Sequence, residues 1–577
     1  MKKKLVLMSL LLAGCQQASQ VSPIEKTPSH LVAFQFQAGE GNTQKQSVQP
    51  LAVQEVSGLV FQQLSTSTFT VKQKGVRYLS TTYKVTNQSG RTLKDLAFVG
   101  VNLDDTDGDP SNNSMQPTAG NTAFARVKLY DGTDASGKAS SMVPGHLYTY
   151  DPQNDRAIFE ARGTAFARGL SVPDFDPVHP EGLTLNKLDF GWVLYGDFEN
   201  NTSRTVTFST QLPLSANAKD DPFSFSFIAA FAELNRRQNV QFQSPTQLNF
   251  GSTVSKVATG DFNEDGYPDL VVTRNNANSV YILLNDTTGH FPTITTASTP
   301  WPMYLVVPAF VNADPHQDLL LADYGHGTVQ ILLGNGDGTF EDGDGVALDT
   351  GLIDLQVADL NGDAYPDILG LTMNALIVQM SNAGGPFVAP EQRYTSVEPF
   401  SMLSAGNLNG DNHPDVVIAG PTNQLFVLNN NGDGTLSAAT TYQSSFSPSG
   451  LVVTDLNGEP GDDVAVSALY GANISVHPGD GNGQLFPFAQ SAAGRLFGDL
   501  THADFNGDGL TDLATSVFST SLQVNLNDGN GNFPESVSVP ISGFVKDLSS
   551  ADLNGDGKVD LVGLIPDDDA LVVVLQE

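Results

Sequence analysis

The nonapeptide Asp552–Asp560, which reads Asp-Leu-Asn-Gly-Asp-Gly-Lys-Val-Asp, has oxygen-bearing side chains at its positions 1, 3, 5 and 9. Related nonapeptides occur seven times in the 577-residue chain, at intervals of 48 or 49 residues. They begin at Asp261, Phe310, Asp359, Asn407, Asp455, Asp504 and Asp552. A period this regular predicts a tandem structural repeat.

Each repeat has the sequence pattern of a four-stranded antiparallel unit. An apolar strand leads into the nonapeptide, a second strand follows it, and a third, rich in β-branched residues, comes later. A turn of Gly, Asn and Asp, such as 335–338, then precedes an aromatic or leucine that is predicted to open a fourth strand. Four strands per repeat predict a propeller blade.

The two ends of the repeat array favour a closed ring over an open solenoid. The chain stops at Glu577 after the third strand of the last repeat. Phe242 precedes Asp261 by 19 residues, the offset that also separates Phe340 from Asp359. The segment near Phe242 is therefore predicted to supply the missing fourth strand, since an open array would expose two sheet edges. We expect a seven-bladed β-propeller over residues 236–577.

The nonapeptide has the chemistry of a calcium loop. Ca²⁺ takes about 6 to 8 oxygen ligands, and side chains at positions 1, 3 and 5 of a tight loop can converge on one ion. Position 7 would add a backbone carbonyl and position 9 another carboxylate. An EF-hand would require Glu at the twelfth residue, but Val272, Thr515 and Gly563 occupy that place, so the EF-hand is excluded.

The seven in-phase nonapeptides resemble the FG-GAP or VCBS repeats of integrin alpha propellers and of many bacterial surface proteins. The resemblance covers about 60% of the chain and implies a Ca²⁺ between the first two strands of each complete blade. The implied ligands are Asp261, Asn263, Asp265, Asp269, Asp359, Asn361, Asp363, Asp367, Asn407, Asn409, Asp411, Asp415, Asp455, Asn457, Glu459, Asp463, Asp504, Asn506, Asp508, Asp512, Asp552, Asn554, Asp556 and Asp560.

The seven loops are not equivalent. The third has Ala364 where a loop glycine is expected, the fourth begins with Asn407 and should bind more weakly, and the fifth carries Glu459 beside a displaced glycine. The second, with Phe310 and Pro315 at two key places, is expected to hold no metal. The alternative for the complete loops is a metal-free Asx turn. Crowded carboxylates without a cation would repel one another, which argues against it.

The first 15 residues are typical of a lipoprotein signal peptide. Three lysines precede an apolar run, which ends in Leu12-Ala13-Gly14-Cys15, a sequence that resembles a lipobox. Cys15 is the only cysteine, so internal disulfides are excluded and lipidation is its predicted role. An ordinary cleaved signal is the alternative. We expect an exported, membrane-anchored lipoprotein on the cell surface or the periplasmic face.

Residues 16–50 are rich in Gln, Ser, Pro and Thr and are predicted to form a flexible tether. Residues 51–235 show strands separated by turns, as where Leu79, Thr81, Tyr83 and Val85 alternate with polar neighbours. An immunoglobulin-like β-sandwich is the expected fold of this segment, so the whole chain is predicted to be all-β.

Two loops of the predicted sandwich carry other clusters of polar residues. Asp104–Asp109 could hold a calcium ion or form a solvated acidic turn. Asp174, Asp176 and His179 could act in acid/base chemistry, although no nucleophile or pocket is assigned to them.

The net charge and the absence of catalytic motifs together favour a binding function over catalysis. A formal charge of −35 disfavours nucleic acid as a partner, and a third of the 63 acidic residues lie in the nonapeptides. No Gly-x-Ser-x-Gly, His-Glu-x-x-His or phosphate-loop motif is present, and His316 and His413 fall at position 7, where only a backbone carbonyl is needed. The sequence predicts a calcium-stabilised adhesion or binding scaffold for a protein or glycan. The alternatives are a polysaccharide lyase or hydrolase, or a lectin.

Overall fold

A computed structural model of the chain describes two compact units, residues 1–237 and 238–577. The described residues are 31–37, 58–100, 103–105, 115–117, 124–129, 133–168, 170, 190–215, 224–234, 239–382, 387, 391–444, 447–468, 474–487, 489–491, 497–517 and 521–577. The signal peptide with Cys15, the loop residues 106–109 and the group Asp174, Asp176 and His179 lie outside them.

Within these residues the regular structure is β-strand, apart from two short 3₁₀ turns at Ser136–Ser141 and Pro566–Asp568. The prediction of an all-β chain is thus confirmed. Across the same ranges there is no helix of the length and hydropathy needed to cross a bilayer.

The first unit contains strands β1 to β14. They are β1 Leu31–Gln37, β2 Leu59–Val71, β3 Val76–Asn87, β4 Leu93–Gly100, β5 Leu103–Asp105, β6 Met115–Pro117, β7 Phe124–Lys128, β8 Val143–Gly145, β9 Tyr148–Asp151, β10 Arg156–Phe159, β11 Ala165–Arg168, β12 Phe190–Phe198, β13 Ser203–Pro213 and β14 Ser224–Glu233. One antiparallel sheet has the order β1-β14-β4-β12-β11, with β7 also on β14, and a second has the order β2-β3-β13-β8. Two hairpins, β9–β10 and β5–β6, complete the unit.

The core of this unit is an aromatic cluster shared by the two larger sheets. Phe34, Phe98 and Trp192 come from the first sheet and Phe208 from the second, and each is at most 1% exposed. The rings of Phe34 and Phe208 lie 4.3 Å apart. Strand β1 lies within the segment that was predicted to be a tether, and that prediction is wrong for residues 31–37. Burial of Phe34 and pairing with β14 stabilise the strand there.

The second unit contains strands β15 to β43. They are β15 Thr246–Asn249, β16 Val254–Gly260, β17 Asp269–Arg274, β18 Ser279–Leu284, β19 Thr293–Ser298, β20 Leu305–Ala309, β21 Asp318–Ala322, β22 Thr328–Gly334, β23 Phe340–Asp342, β24 Val346–Ala347, β25 Leu352–Ala358, β26 Asp367–Thr372, β27 Ala375–Gln379, β28 Gln392–Thr395, β29 Met402–Gly406, β30 Asp415–Gly420, β31 Gln424–Leu428, β32 Thr440–Gln443, β33 Pro448–Thr454, β34 Asp463–Ala468, β35 Ile474–His477, β36 Ala489–Ser491, β37 Phe497–Ala503, β38 Asp512–Val517, β39 Ser521–Leu526, β40 Glu535–Pro540, β41 Asp547–Ala551, β42 Asp560–Ile565 and β43 Ala570–Val574.

These strands form seven antiparallel sheets in chain order. The first six are β16–β19, β20–β24, β25–β28, β29–β32, β33–β36 and β37–β40, and the last has the order β15-β43-β42-β41. The first strand of each of the first six sheets contacts the first strand of the next sheet, which in the last sheet is β41. Strand β41 in turn contacts β16 of the first sheet. The sheets therefore follow one another in a closed order.

The last sheet takes its outer strand from the chain that precedes the first repeat. Strand β15 pairs with β43, so that Thr246 lies opposite Val573, and Phe242 bridges to Gln576. A strand from one end of the array is thus hydrogen-bonded to a strand from the other, which leaves neither as a free edge.

The second strand of each repeat is buried on both faces, as expected for a strand between packed sheets. Every residue of β21 and β34 is buried. The aromatic residues that were predicted to open the fourth strands differ in detail. Phe291 and Phe533 precede β19 and β40 by two residues and are 5% exposed, because they pack between sheets instead of pairing.

Candidate metal-binding loops

The nonapeptides form the loops between the first and second strands of each sheet. In the first loop, Asp261 accepts hydrogen bonds from the N–H groups of Asp265 (3.2 Å) and Gly266 (2.9 Å). The side-chain oxygen of Asn263 accepts from Asp265 N–H at 3.0 Å, and Asp265 in turn accepts from Tyr267 N–H at 3.0 Å. The oxygen atoms at positions 1, 3 and 5 thus turn toward the loop's own backbone and coil the loop around them.

The same bonding recurs in four other loops. Asp359, Asp504 and Asp552 each accept from the backbone N–H groups of positions 4, 5 and 6. In the fourth loop Asn407 accepts from positions 4 and 5 only. An amide has a single acceptor oxygen, so the replacement of Asp by Asn removes a bond as well as a charge.

The loop glycine at position 6 adopts a positive φ, which the third and fourth loops achieve with other residues. Gly266 has φ +86°, while Ala364 has φ +72° and Asn412 has φ +68°. Ala364 N–H still bonds to Asp359 at 2.8 Å, so the third loop keeps its shape. The positive φ of an alanine costs about 1 to 2 kcal/mol, whereas Asn tolerates this region better.

The second and fifth loops depart from this pattern. Phe310, at position 1 of the second loop, is 52% exposed and offers no oxygen, although Asn312 and Asp314 keep their local turns. In the fifth loop Asn457 donates from Nδ2 to Asp463 at 2.8 Å, a bond that the other loops do not form in the part of the chain described. Its amide is therefore turned toward position 9.

Position 9 is a buried aspartate in every repeat and opens the second strand. Its carboxylate accepts one N–H from position 2 of the loop and one from a residue at or just beyond the end of the third strand, as Asp512 does from Phe505 (3.1 Å) and Asn527 (2.7 Å). The seven aspartates, each 0% exposed, are Asp269, Asp318, Asp367, Asp415, Asp463, Asp512 and Asp560. Sequence reasoning assigned this position to the metal and missed its bonds to the backbone.

These carboxylates have perturbed acidities. Burial raises the pKa of Asp512 to about 8 and that of Asp269, Asp415 and Asp560 to about 6. The two N–H groups that each carboxylate accepts from lower its pKa and so oppose the effect of burial. The nearby carboxylates at positions 1 and 5 of the same loop raise the pKa further. In the fourth loop, where position 1 is Asn407, only Asp411 has this effect. A metal-free loop thus holds negative charges that repel one another, and a cation would relieve that repulsion.

The donor set suits calcium, which prefers hard oxygen ligands. Over the described residues, no three His, Cys, Asp or Glu side chains already lie in a cluster that could hold a metal. The loop oxygens instead accept from backbone N–H groups. Ion binding would use their remaining lone pairs at positions 1, 3 and 5.

A second set of polar side chains joins each of four repeats to the one before it. Asn527 Nδ2 donates to the carbonyl of Leu456, position 2 of the preceding loop, at 2.8 Å. Asn285, Asn430 and Gln576 make the equivalent bond to the loop before them in the closed order of sheets, which for Asn285 is the last loop, at Leu553. These residues lie 23 or 24 residues after the start of their nonapeptide, a recurrence in the sequence by which they could have been found.

The two position-7 histidines lie at contacts between neighbouring loops. His316 Nδ1 is 2.5 Å from Glu264 Oε1 of the first loop, and this hydrogen bond raises the pKa of the imidazole. His413 lies beside Gly362 and Gly432. Neither imidazole is placed beside a nucleophile by these contacts.

Comparison with known families identifies the repeats. The FG-GAP-like repeat family matches residues 311–370, 407–466 and 504–563, and the FG-GAP repeat family matches residues 253–283. Together these matches reach all seven nonapeptides. The second unit therefore contains FG-GAP-type repeats, in agreement with its all-β, propeller-like arrangement of sheets. No curated protein matches the chain.

Similarity to several solved structures is found at low sequence identity. BBS1N in complex with ARL6DN is 16% identical, with a TM-score of 0.43, over 59% of this chain and 98% of that one. Raptor from Chaetomium thermophilum is 14% identical, with a TM-score of 0.42, over 59% of this chain and 29% of that one. A functionally unknown protein from Desulfotomaculum acetoxidans is 11% identical, with a TM-score of 0.39, over 51% of this chain and 92% of that one.

Proposed function

We propose that this protein is a calcium-stabilised binding scaffold, exported and anchored to a membrane through a lipid on Cys15. The observation that carries the proposal is the repeated loop in which oxygen side chains at positions 1, 3 and 5 accept hydrogen bonds from the loop's own backbone and coil the loop around them. Five loops keep this arrangement, and the buried aspartate at position 9 ties each of them to its own sheet.

Calcium would supply positive charge at the corner of each of these sheets. Its side-chain ligands in the sixth loop would be Asp504, Asn506 and Asp508, with Asp512 beside them. With the affinity of extracellular calcium modules, millimolar calcium would add roughly 0.4 to 1.4 kcal/mol per site. Five such sites would contribute several kcal/mol, which is comparable to the net stability of a domain.

Binding is proposed in preference to catalysis. The carboxylates that crowd the loops accept hydrogen bonds from backbone N–H groups, which is a structural role and leaves little freedom for proton transfer. A ring of similar loops, by contrast, gives many equivalent surface positions for a protein or glycan ligand.

The calcium part of the proposal is tested by thermal unfolding of the full chain in 1 mM calcium and in EDTA, with a count of bound ions. We expect a higher melting temperature in calcium and about four to six ions per chain. Asp504→Ala, which removes the position-1 oxygen altogether, should lower the count by about one. Asn312→Ala, in the second loop, is the matched control and should leave the count unchanged. No shift and no bound ion would contradict a calcium role.

The anchoring part is tested separately in the producing cells. Cys15→Ser should move the protein from the membrane fraction to the soluble fraction, and mass spectrometry of the N-terminal peptide should show the lipid on Cys15. A wild-type protein without lipid would contradict the anchor and leave the calcium result untouched.

A further inference from the structure

In the first three sheets of the second unit, the two ends of the sheets differ in charge. One end carries the nonapeptides and, with them, a third of the acidic residues of the chain. The opposite end is formed by the turns between second and third strands and by the connections between sheets. In the first three sheets, the segments at this end contain two charged residues, Asp323 and Asp349, and no Lys or Arg. These segments are 275–278, 299–304, 323–327, 348–351 and 373–374.

Both of these carboxylates are already bound. Asp349 pairs with Arg393 at 2.6 Å. Asp323, whose side chain is 8% exposed, accepts from His326 Nδ1 at 2.7 Å and from the backbone N–H groups of Gly325 and His326. Arg274, directly before the first of these segments, lies over the ring of Tyr281 and donates to Ser279 Oγ at 2.8 Å. These five segments therefore offer no uncommitted charge to a ligand.

Four aromatic side chains, Trp301, Tyr304, Tyr324 and His326, lie at this end and are called the aromatic platform here. The rings of Trp301 and His326 are stacked, with centroids 4.2 Å apart and planes 13° from parallel. The side chain of His326 is 52% exposed, and Tyr304 and Tyr324 are 47% and 58% exposed. Exposed aromatic groups of this kind are typical of binding surfaces.

The platform is held in place before any ligand arrives. The carboxylate of Asp323 orients the imidazole through Nδ1, which leaves Nε2 available to a ligand. The carbonyl of Tyr324 accepts from Gly351 N–H at 2.7 Å, and the carbonyl of Gly327 accepts from Leu348 N–H at 2.8 Å. The turn is thus tied to the next connection between sheets, so little conformational entropy would be lost on binding.

Glycines keep the space beside the platform open. A Cβ atom at Gly351 would meet only the ring of Tyr324, at 3.9 Å, and one at Gly325 would meet only Asp323, at 3.3 Å. The ring of Tyr324 therefore has free space on the side of Gly351.

We infer that the aromatic platform binds a neutral glycan. The C–H faces of an uncharged pyranose pack on flat aromatic rings, and its hydroxyl groups can bond to His326 Nε2 and to the phenol groups of Tyr304 and Tyr324. An anionic sugar would find no Lys or Arg in the platform segments, and a cationic ligand would find both carboxylates engaged. The inference rests on the proposed binding function and specifies its ligand class.

The test uses the full chain in calcium and an array of neutral oligosaccharides, followed by titration of the best of them with tryptophan fluorescence as the readout. Trp192 is 1% exposed, so an emission change should come from Trp301 and disappear in Trp301→Phe. Tyr324→Ala and His326→Ala should each weaken binding at least tenfold. Phe310→Ala, a similarly exposed aromatic at the nonapeptide end, is the matched control and should bind as the wild type does.

Three results would overturn the inference. They are the absence of binding to any neutral oligosaccharide, binding to charged saccharides alone, and binding that survives in both Tyr324→Ala and His326→Ala. Attachment of protein-coated beads to cells that is abolished by protease but not by glycosidases would also overturn it, since the ligand would then be a protein. Calcium-dependent melting measured on the same samples would show whether the proposed scaffold stands when the glycan inference fails.

Discussion

Lys256 Nζ lies 2.6 Å from Asp547 Oδ1, and this ion pair joins the first sheet of the second unit to the last. The other oxygen of Asp547 accepts from Val257 N–H at 2.6 Å. The two partners are 291 residues apart in the chain. Asp547 raises the pKa of the Lys256 ammonium above its ordinary value, so the ammonium stays protonated at neutral pH.

Two further aspartates occupy the equivalent place, five residues before a nonapeptide, and bond to the next sheet in the same way. The bonds run from Leu403 N–H to Asp354 (2.8 Å) and from Leu548 N–H to Asp499 (2.9 Å). Burial raises the pKa of both carboxyls, that of Asp499 to about 7. The junction at Asp547 alone among the three adds a lysine to this bond.

Asp547→Asn should weaken the contact between the first and last sheets. The amide can still accept from Val257 N–H, but Lys256 loses the carboxylate that pairs with it directly, and we expect a loss of about 1 to 3 kcal/mol in the free energy of unfolding. Urea denaturation measures it. Asp349→Asn, which breaks the exposed pair with Arg393, is the control and should cost less than about 1 kcal/mol. Equal effects would show that the closing pair has no special weight.

Asn527→Ala should be strongly destabilising. The Asn527 side chain is 0% exposed, donates to two carbonyls and accepts from Gly529 and Gly531 N–H. Its removal leaves these groups unpaired, at a cost of about 2 to 4 kcal/mol. Asn431→Ala, at an exposed hairpin turn, should change the free energy by less than about 0.5 kcal/mol. Comparable losses in the two variants would argue against a role in joining repeats.

Ala364→Gly should stabilise the third loop relative to a matched substitution. Glycine removes the strain of φ +72° but increases the entropy of the unfolded chain, so the net change is expected to be about 0 to 1 kcal/mol in favour of folding. Ala313→Gly, in the second loop and outside the positive-φ region, carries only the entropic penalty and should destabilise by about 0.4 to 1 kcal/mol. Identical melting temperatures for the two variants would contradict the strain.

The metal-free protein should lose stability as pH rises. The pKa of Asp512 is about 8 in the folded protein against an ordinary 3.8, so the folded state binds the proton more tightly and stability falls between about pH 4 and pH 8. In EDTA, Asp512→Asn should flatten this slope relative to the wild type. Calcium should flatten it too, because a cation favours the ionised carboxylate. The slopes come from denaturation curves at several pH values, and a wild-type slope of the opposite sign would contradict the prediction.

Much of the second unit could be predicted from the sequence because its information is local and periodic. The seven nonapeptides predicted the loops between first and second strands, and the predicted third strands match β18, β22 and β31 to within one residue. The strand near Phe242 that pairs with the end of the chain is present as β15. The repeat period and the turn residues are properties of each single repeat. The strands and loops that they specify can therefore be predicted without knowing which repeats are neighbours in space.

Other features depended on contacts between distant segments. Strand β1 has the alternation of a strand, but its composition and surroundings predicted a tether. Only the burial of Phe34 against Phe208 reveals it as part of the core. Likewise, the metal assignment of position 9 overlooked the two N–H groups that Asp512 binds. One of these belongs to Asn527, and the number of residues between Asp512 and Asn527 depends on where the third strand ends.

The sequence by itself determined the all-β class, the repeat period and the residues at each loop position, since these follow from side-chain chemistry at fixed local spacing. The tertiary structure alone decided that Lys256 meets Asp547, that Asn285 bonds to Leu553, and that Trp301 stacks on His326. Such contacts form only when separate sheets are brought side by side. A hydrogen bond or an aromatic stack depends on ångström distances in space, which spacing along the chain does not specify.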